Sequence, residues 1–254
     1  MNIGQKFLSI LIMFFLMATL YPWAYSSDAT ALTAGATASS TAGATASPTV
    51  SEVEDPGSIL VLVNKSNSLP ADYVPEDLRV VNLPSVRGKD QLRDVAASAL
   101  EAMFKDAKKA GHSLFTRSGY RSYNTQKQIF YGYVKRYGRE KTETFSAPPG
   151  MSEHQTGLAI DISSKGANYA LLKKFGELPE GKWVKENSWK YGFIVRYPEN
   201  KTHITKYTYE PWHLRYVGPC AAKVIYKKDL SLEEYLDSIK WKEDTFGALP
   251  SLGA

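Results

Sequence analysis

The stretch SEHQTGLAID, residues 152–161, places His154 and Asp161 seven residues apart, with Gly157 between them. The apolar run at 158–160 leads into the acid and predicts a buried strand entered through a turn at the glycine. Burying an unpaired carboxylate is costly, so Asp161 needs a partner. A metal ion or an arginine would serve, and the flanking residues do not decide between them.

A second histidine with a nearby acid lies downstream, in YEPWHLRYVG at residues 209–218, where His213 follows Glu210 by three residues. Imidazole and carboxylate groups are zinc ligands, and a catalytic zinc site has three protein ligands and an open position for water. Residues His154, Asp161 and His213 would supply the three ligands. Glu210 would then be free to act as a base.

The offset between Glu210 and His213 is a difficulty for this arrangement. Residues three apart point to opposite faces of a regular strand, and Pro211 argues against a helix interior. A bend or bulge at Pro211-Trp212 is therefore needed if both side chains approach one metal ion. Periodicity neither predicts nor excludes the pairing.

Three motifs resemble the VanY-type D-alanyl-D-alanine carboxypeptidases, zinc peptidases of the bacterial cell wall. They are SGYRS at 118–122, PGMSEHQTGLAIDI at 149–162 and YEPWHLRYVG at 209–218, in this order. The segment LVNKSNSLPADYVPEDL at 62–78 resembles the opening of the family's domain. The resemblance extends over residues 59–236, and its metal motif, SxHxxGxAxD followed by ExxH, is specific.

The resemblance implies a role for each candidate residue. One zinc ion is held by His154, Asp161 and His213. Glu210 is the base, which takes a proton from the attacking water and passes it to the leaving amine. Arg121 resembles the arginine that holds the scissile carbonyl and stabilises the negative oxygen formed there.

The remaining site residues concern the substrate and the walls of the pocket. The resemblance implies that Ser118, Gln126 and Ser152 bind the terminal residue of the substrate. Aromatic residues near a site more often pack against neighbouring side chains than recognise the substrate. We therefore expect three aromatic residues to form pocket walls or core: Tyr120, Trp212 and Tyr216. His112 and His203 are expected to be ordinary surface or core residues.

The function implied is zinc-dependent removal of the C-terminal D-alanine from peptidoglycan stem peptides, as in a D-Ala-D-Ala carboxypeptidase. One alternative is an L,D-carboxypeptidase that acts on tetrapeptide stems. Others are a non-catalytic wall-binding module of the same fold and a zinc-binding relative that signals without hydrolysis. The joint presence of three ligands, a base and an arginine argues against a degenerate site.

Helices and non-alternating strands without βαβ regularity predict an α+β fold, a single compact domain with a small, mostly antiparallel sheet flanked by helices. The resemblance implies the same architecture, of the Hedgehog/DD-peptidase kind. Predicted strands lie at 59–63, 114–120, 158–162, 192–197 and 209–217. Predicted helices lie near 89–111, 126–137, 171–175, 182–190, 219–227 and 231–239, the last with a capping box of Ser231 and Glu234.

The first residues of the chain differ in composition from the rest. Residues 7–20 form an uncharged apolar run, so residues 1–26 are interpreted as a signal peptide or an N-terminal anchor, although the run is short for a membrane span. Residues 27–51 are rich in Ala, Thr, Ser and Gly and predict a flexible linker. The carboxypeptidase domain is predicted at 52–247, followed by a tail at 248–254.

Charge and cysteine content restrict the partners. The formal net charge of +5 would draw an exported protein to anionic wall polymers. Lys and Arg residues are scattered among acids without a nucleic-acid motif, so no nucleic-acid partner is expected. We expect peptidoglycan stem peptides as partner, a possible membrane tether, a monomer and an exported location in a bacterium. Cys220 is the only cysteine, which excludes an intrachain disulfide, and it is predicted to be a buried, inert thiol.

Overall fold

The computed structural model describes the backbone of residues 53–246 and the side chains of residues 53–240. The predicted signal peptide or anchor, the linker and the C-terminal tail lie outside these residues. No helix within the described range is long and apolar enough to span a bilayer.

Two antiparallel sheets form the β part of the fold. The smaller sheet pairs β1 (Leu78–Val80) with β2 (Gln91–Arg93). The larger sheet has the order β3-β4-β6-β5, with every neighbouring pair antiparallel. Its strands are β3 (Phe115–Ser118), β4 (Ala159–Ser163), β5 (Phe193–Tyr197) and β6 (Glu210–Tyr216). Because β4 and β6 are the central strands, their residues are the most enclosed.

Helices surround the larger sheet. They are α1 (Asp94–Lys109), α2 (Tyr123–Tyr137), α3 (Arg139–Glu143), α4 (Pro179–Asn187), α5 (Thr202–Thr205), α6 (Pro219–Lys228) and α7 (Leu232–Phe246). The apolar stripe of α1 packs in the main core, where Leu100 and Met103 are fully buried beside Ile160 and Leu214. The predicted α+β fold with a small antiparallel sheet is confirmed.

Two sequence-based predictions are wrong at the N-terminal side of the domain: the strand at 59–63 and the first residue of α1. Residues 59–63 form no strand, although Leu60, Val61 and Val63 are buried as a strand would require. The carbonyl groups of Ile59 and Val61 accept hydrogen bonds from the side chain of Arg215 instead of from a neighbouring strand. Helix α1 begins at Asp94 rather than near 89, because the intervening residues pair with β1.

The C-terminal helices confirm one prediction and correct another. Ser231 and Glu234 form the predicted capping box, since the Glu234 amide donates to the Ser231 hydroxyl and the Ser231 amide donates to the Glu234 carboxylate. Cys220, in contrast, is exposed. It lies in the first turn of α6, whose buried face is formed by Ala221, Ala222 and Ile225, so the cysteine points away from the core.

Candidate metal centre

Three elements bring the predicted metal ligands together. His154 lies in a short 3-10 turn, Glu153–Thr156, and Gly157 ends that turn in the left-handed conformation at φ 66° before β4 begins. Asp161 lies on β4 directly opposite His213 on β6. One ligand atom from each of the three buried side chains lies within 4.8 Å of the others. The left-handed φ explains why glycine separates the two ligands of the motif.

The carboxylate of Asp161 lies between the two imidazoles. Its Oδ2 is 3.4 Å from Nε2 of His154, and its Oδ1 is 3.1 Å from Nδ1 of His213. Nδ1 of His154 donates to the carbonyl oxygen of Gly119 at 2.8 Å, which directs Nε2 into the centre. Asp161 forms no ion pair with an arginine in the described residues, so the metal alternative is the one that the geometry favours.

This donor set fits a zinc ion. Two imidazole nitrogens and one carboxylate oxygen are the ligand types of catalytic zinc sites, and they leave a fourth position open. Zinc-bound histidines donate their other ring N–H to a carbonyl or carboxylate, which fixes the ring. His154 has such a partner in Gly119, and His213 has one in Glu153, whose Oε2 lies 3.4 Å from Nε2.

Glu153 was not singled out from the sequence, although it adjoins His154. It is completely enclosed, and its Oε1 accepts hydrogen bonds from Nε of Arg196 at 2.7 Å and from Arg215 at 2.8 Å. Burial alone would raise the pKa of the Glu153 carboxyl, but the two arginines outweigh it and hold the pKa well below its ordinary value. Its partners are 43 and 62 residues away along the chain, so no local pattern indicates the contact.

The two arginines are anchored by opposite ends of the domain. Arg196 makes two hydrogen bonds to Glu233 on α7, at 2.7 and 2.9 Å. Arg215 donates to the carbonyl oxygens of Ile59 and Val61 at 3.0 and 2.8 Å. The N-terminal segment and the last helix therefore both support the carboxylate that contacts His213.

The charges of the three ligands follow from their surroundings. Burial tends to raise the pKa of Asp161, but the neighbouring His154 and His213 outweigh it and hold the pKa far below its ordinary value. Burial lowers the pKa of His154, as does the positive Arg121. Burial would also lower the pKa of His213, but its hydrogen bonds to Asp161 and Glu153 raise it to about 9. The centre thus contains a firmly ionised carboxylate between the two rings.

Glu210 reaches the same cleft because β6 is irregular. Val195 pairs with Leu214 and Tyr197 pairs with Glu210. The two positions from Val195 to Tyr197 on β5 therefore lie opposite four positions on β6, which is a bulge in β6. This bulge puts Glu210 and His213 on the lining of one cleft, as the offset of three requires. Burial raises the pKa of Glu210 to about 7, against the lowering effect of His213. Its carboxylate makes no hydrogen bond to any described residue.

Arg121 lines the cleft and is positioned by Gln126. One Nη of Arg121 donates to Oε1 of Gln126 at 2.8 Å, and Nε2 of Gln126 donates to the carbonyl oxygen of Ala147 at 2.7 Å. Nε of Arg121 is buried without a hydrogen-bond partner in the described part of the chain. Because Arg121 lines the cleft, its guanidinium group can meet an oxygen of a bound substrate. Gln126, predicted to bind substrate, also orients the arginine.

The other predicted residues occupy three kinds of position. Ser118, Ser152 and Trp212 line the cleft, and Tyr216 belongs to the core. Tyr120 is half-buried, and its amide is bonded to the carbonyl of Gln91. His112 is half-buried and His203 is exposed, and neither lies in the ligand cluster. The roles of the serines in substrate binding stay predictions.

Residues 89–219 match the family described as VanY, D-alanyl-D-alanine carboxypeptidase. The match covers half of the chain and contains every metal-ligand candidate. The chain belongs to the VanY family. YodJ of Bacillus subtilis, provisionally named a carboxypeptidase, is 52% identical over 192 residues, which are 74% of this chain and 70% of YodJ.

Two solved structures extend the comparison of this VanY-family chain. The LD-carboxypeptidase LdcB is 51% identical with a TM-score of 0.70, over 72% of this chain and 88% of that one. A variant of the D,D-pentapeptidase VanY from a VanB-type vancomycin resistance cassette, in complex with Zn(II), is 37% identical with a TM-score of 0.58, over 70% of this chain and 98% of that one. The family and fold predictions are confirmed. The zinc prediction is confirmed in that the ligand cluster forms here and a relative holds Zn(II).

Proposed function

We propose that this chain is a zinc-dependent carboxypeptidase that removes the C-terminal D-alanine from peptidoglycan stem peptides. The observation that carries the proposal is the cluster of His154, Asp161 and His213 in a cleft that Glu210 and Arg121 also line. The family assignment supplies the reaction class, and the residues present supply a complete set of functional groups for it.

A bound zinc ion supplies a Lewis acid that polarises the scissile carbonyl and makes water a stronger nucleophile. Glu210 takes a proton from the attacking water and later delivers it to the leaving amine, a role that suits a carboxyl whose burial raises its pKa to about 7. Arg121, held by Gln126, donates from its guanidinium group to the oxygen on which negative charge develops.

The bond that is cut distinguishes two forms of this function. The sequence-based expectation is cleavage between two D-alanines. The identity of 51% to an LD-carboxypeptidase, against 37% to a D,D-pentapeptidase, favours instead the bond between an L-configured centre and a single terminal D-alanine. We therefore propose tetrapeptide stems as the preferred substrate and pentapeptide stems as the second candidate.

Incubation of the zinc-loaded protein with each stem peptide, followed by mass spectrometry, tests the proposal. Loss of one alanine from the tetrapeptide at the higher kcat/KM supports the L,D form, and faster loss from the pentapeptide supports the D,D form. Absence of cleavage of both, by protein that holds one zinc ion per chain, would contradict the enzymatic proposal and favour a wall-binding module.

We also propose that the enzyme acts outside the cytoplasm. The apolar run at 7–20 and the small-residue linker at 27–51 support export, and peptidoglycan is an extracellular substrate. Fractionation of cells and determination of the mature N-terminus test this proposal. A protein that remains cytoplasmic with an intact first residue would contradict it.

A further inference from the structure

Two arginines in the catalytic cleft have no assigned role. Arg87 and Arg117 line the same cleft as the metal ligands. In the part of the chain that the structure describes, neither guanidinium group makes a hydrogen bond or an ion pair. Arg87 is exposed and Arg117 is half-buried, so both guanidinium groups are accessible from the cleft. An anionic group of a bound ligand can therefore bind these donors.

The backbone brings the two arginines together. Thr116 pairs with Ile162 and Ser118 pairs with Asp161, so Arg117 is the extra residue of a bulge in β3. Such bulges re-aim side chains next to active sites, and here the bulge residue faces the cleft. The segment before Arg87 is bonded to the same place on β3, because the Val86 amide donates to the Thr116 carbonyl at 2.9 Å.

The acid bonded to both backbone segments, Asp90, forms no ion pair with either arginine in the described residues. Oδ2 of Asp90 accepts from the hydroxyls of Ser85 and Thr116, at 2.9 and 2.6 Å, and Oδ1 accepts from the amide of Gly119 at 3.1 Å. Asp90 therefore ties the two backbone segments together. The carboxylate oxygens of Asp90 accept hydrogen bonds from uncharged donors. The guanidinium N–H groups of Arg87 and Arg117 have no acceptor among the described residues.

We propose that Arg87 and Arg117 form a subsite for a carboxylate of the bound peptide, separate from the pair of Arg121 and Gln126. This inference rests on the proposed function. The carboxylate has two possible sources in a stem peptide, which are the C-terminus and an acidic residue before the terminal D-alanine. A planar guanidinium binds a carboxylate through two parallel hydrogen bonds, which recognises the group as well as its charge.

Four versions of one stem peptide show which carboxylate the subsite binds. The first has free carboxylates, the second has its upstream carboxylates converted to carboxamides, the third has a C-terminal carboxamide, and the fourth has both changes. Binding to zinc-loaded Glu210→Ala protein is measured by calorimetry, alone and combined with Arg117→Gln or Arg87→Gln. Lys223→Gln, which removes the same charge from an exposed site on α6, is the control. The KM of enzyme with an intact Glu210 is measured for the peptides that it cleaves.

We expect amidation at one source to weaken binding about tenfold or more when both arginines are present, the usual effect of losing a charge-assisted hydrogen bond. The same amidation should have little effect once Arg117 is replaced, while Lys223→Gln should behave as the protein with both arginines. The carboxylate whose amidation shows this pattern is the one that the two arginines bind.

Two results would overturn the subsite. One is unchanged affinity of the arginine variants for the free peptide, and the other is an equal loss of affinity for all four peptides, which indicates only general attraction. Failure of the proposed function has a different signature, because it removes cleavage of every peptide while calorimetry still reports whether amidation matters.

Discussion

Oε2 of Glu153 lies 3.4 Å from Nε2 of His213, on the side of the imidazole ring opposite to Asp161. The ring is therefore held between two buried carboxylates, one within the ligand cluster and one behind it. Since Glu153 is itself bonded to two buried arginines, the orientation of a metal ligand depends on an ionic network in the core.

Glu153→Gln should lower zinc affinity about 10- to 100-fold, the usual cost of losing the partner behind a histidine ligand. It should also destabilise the zinc-free protein by about 3–5 kcal/mol, because Arg196 and Arg215 are left buried without their common charge partner. Competition with a chelator measures the affinity, and urea unfolding measures the stability.

Glu233→Gln is the matched control, since Glu233 contacts Arg196 but not His213. It should reduce stability and leave zinc affinity nearly unchanged. An equal loss of affinity in both variants would mean that destabilisation, rather than the contact with His213, weakens zinc binding.

Glu210→Ala should retain nearly one zinc ion per chain and lose about 10²–10⁴ in kcat, because Glu210 is the base outside the ligand cluster. His213→Ala should lose most of its zinc and its activity together. Metal analysis beside kinetics separates the two roles. Zinc loss in Glu210→Ala would show that this residue is a ligand.

Gln126→Ala should lower kcat while zinc content stays constant, because Arg121 loses the acceptor that orients it. Arg121→Ala sets the upper limit of the effect, about 10²–10³. Gln128→Ala, on the exposed side of the same helix, is the control and should keep the rate. A normal kcat in Gln126→Ala would restrict this residue to a structural role.

Gly157→Ala should destabilise the protein by about 1–3 kcal/mol. The residue has a φ of +66°, and an added Cβ would lie 2.8 Å from Cδ2 of Leu78 and 3.0 Å from Cγ of Arg93. Gly132→Ala, inside α2 where a Cβ meets no atom within 4 Å, should instead stabilise by about 0.5–1 kcal/mol. Urea unfolding of both variants checks the opposite signs.

A shortened protein that begins at Glu52 should fold cooperatively, because it keeps the buried Val53, which belongs to the same apolar cluster as Ile225 on α6 and Leu232 on α7. One that begins at Leu62 should lose at least about 3 kcal/mol or aggregate, since the buried Arg215 loses two backbone acceptors and apolar residues are removed. Thermal unfolding compares the two. Equal stability would show that residues 53–61 do not support the core.

Local sequence determined much of this protein. The periodicity that predicts α1, the left-handed turn at Gly157 and the capping box at Ser231 each depend on residues within a few positions of one another. His154 and Asp161 lie within one short motif, and the resemblance of that motif and of the one at 209–218 to the family's metal motif indicated the ligand set.

Only the tertiary structure decided which distant groups meet. The contact of Glu153 with Arg215 joins residues 62 positions apart, and that of Arg215 with Ile59 joins residues 156 apart. The carbonyls of Ile59 and Val61 bond to that side chain, and residues 59–63 form no strand. The bulges that turn Arg117 and Glu210 into the cleft depend on the register with β4 and β5. Register and long-range charge pairing are properties of packed elements, so no local pattern encodes them.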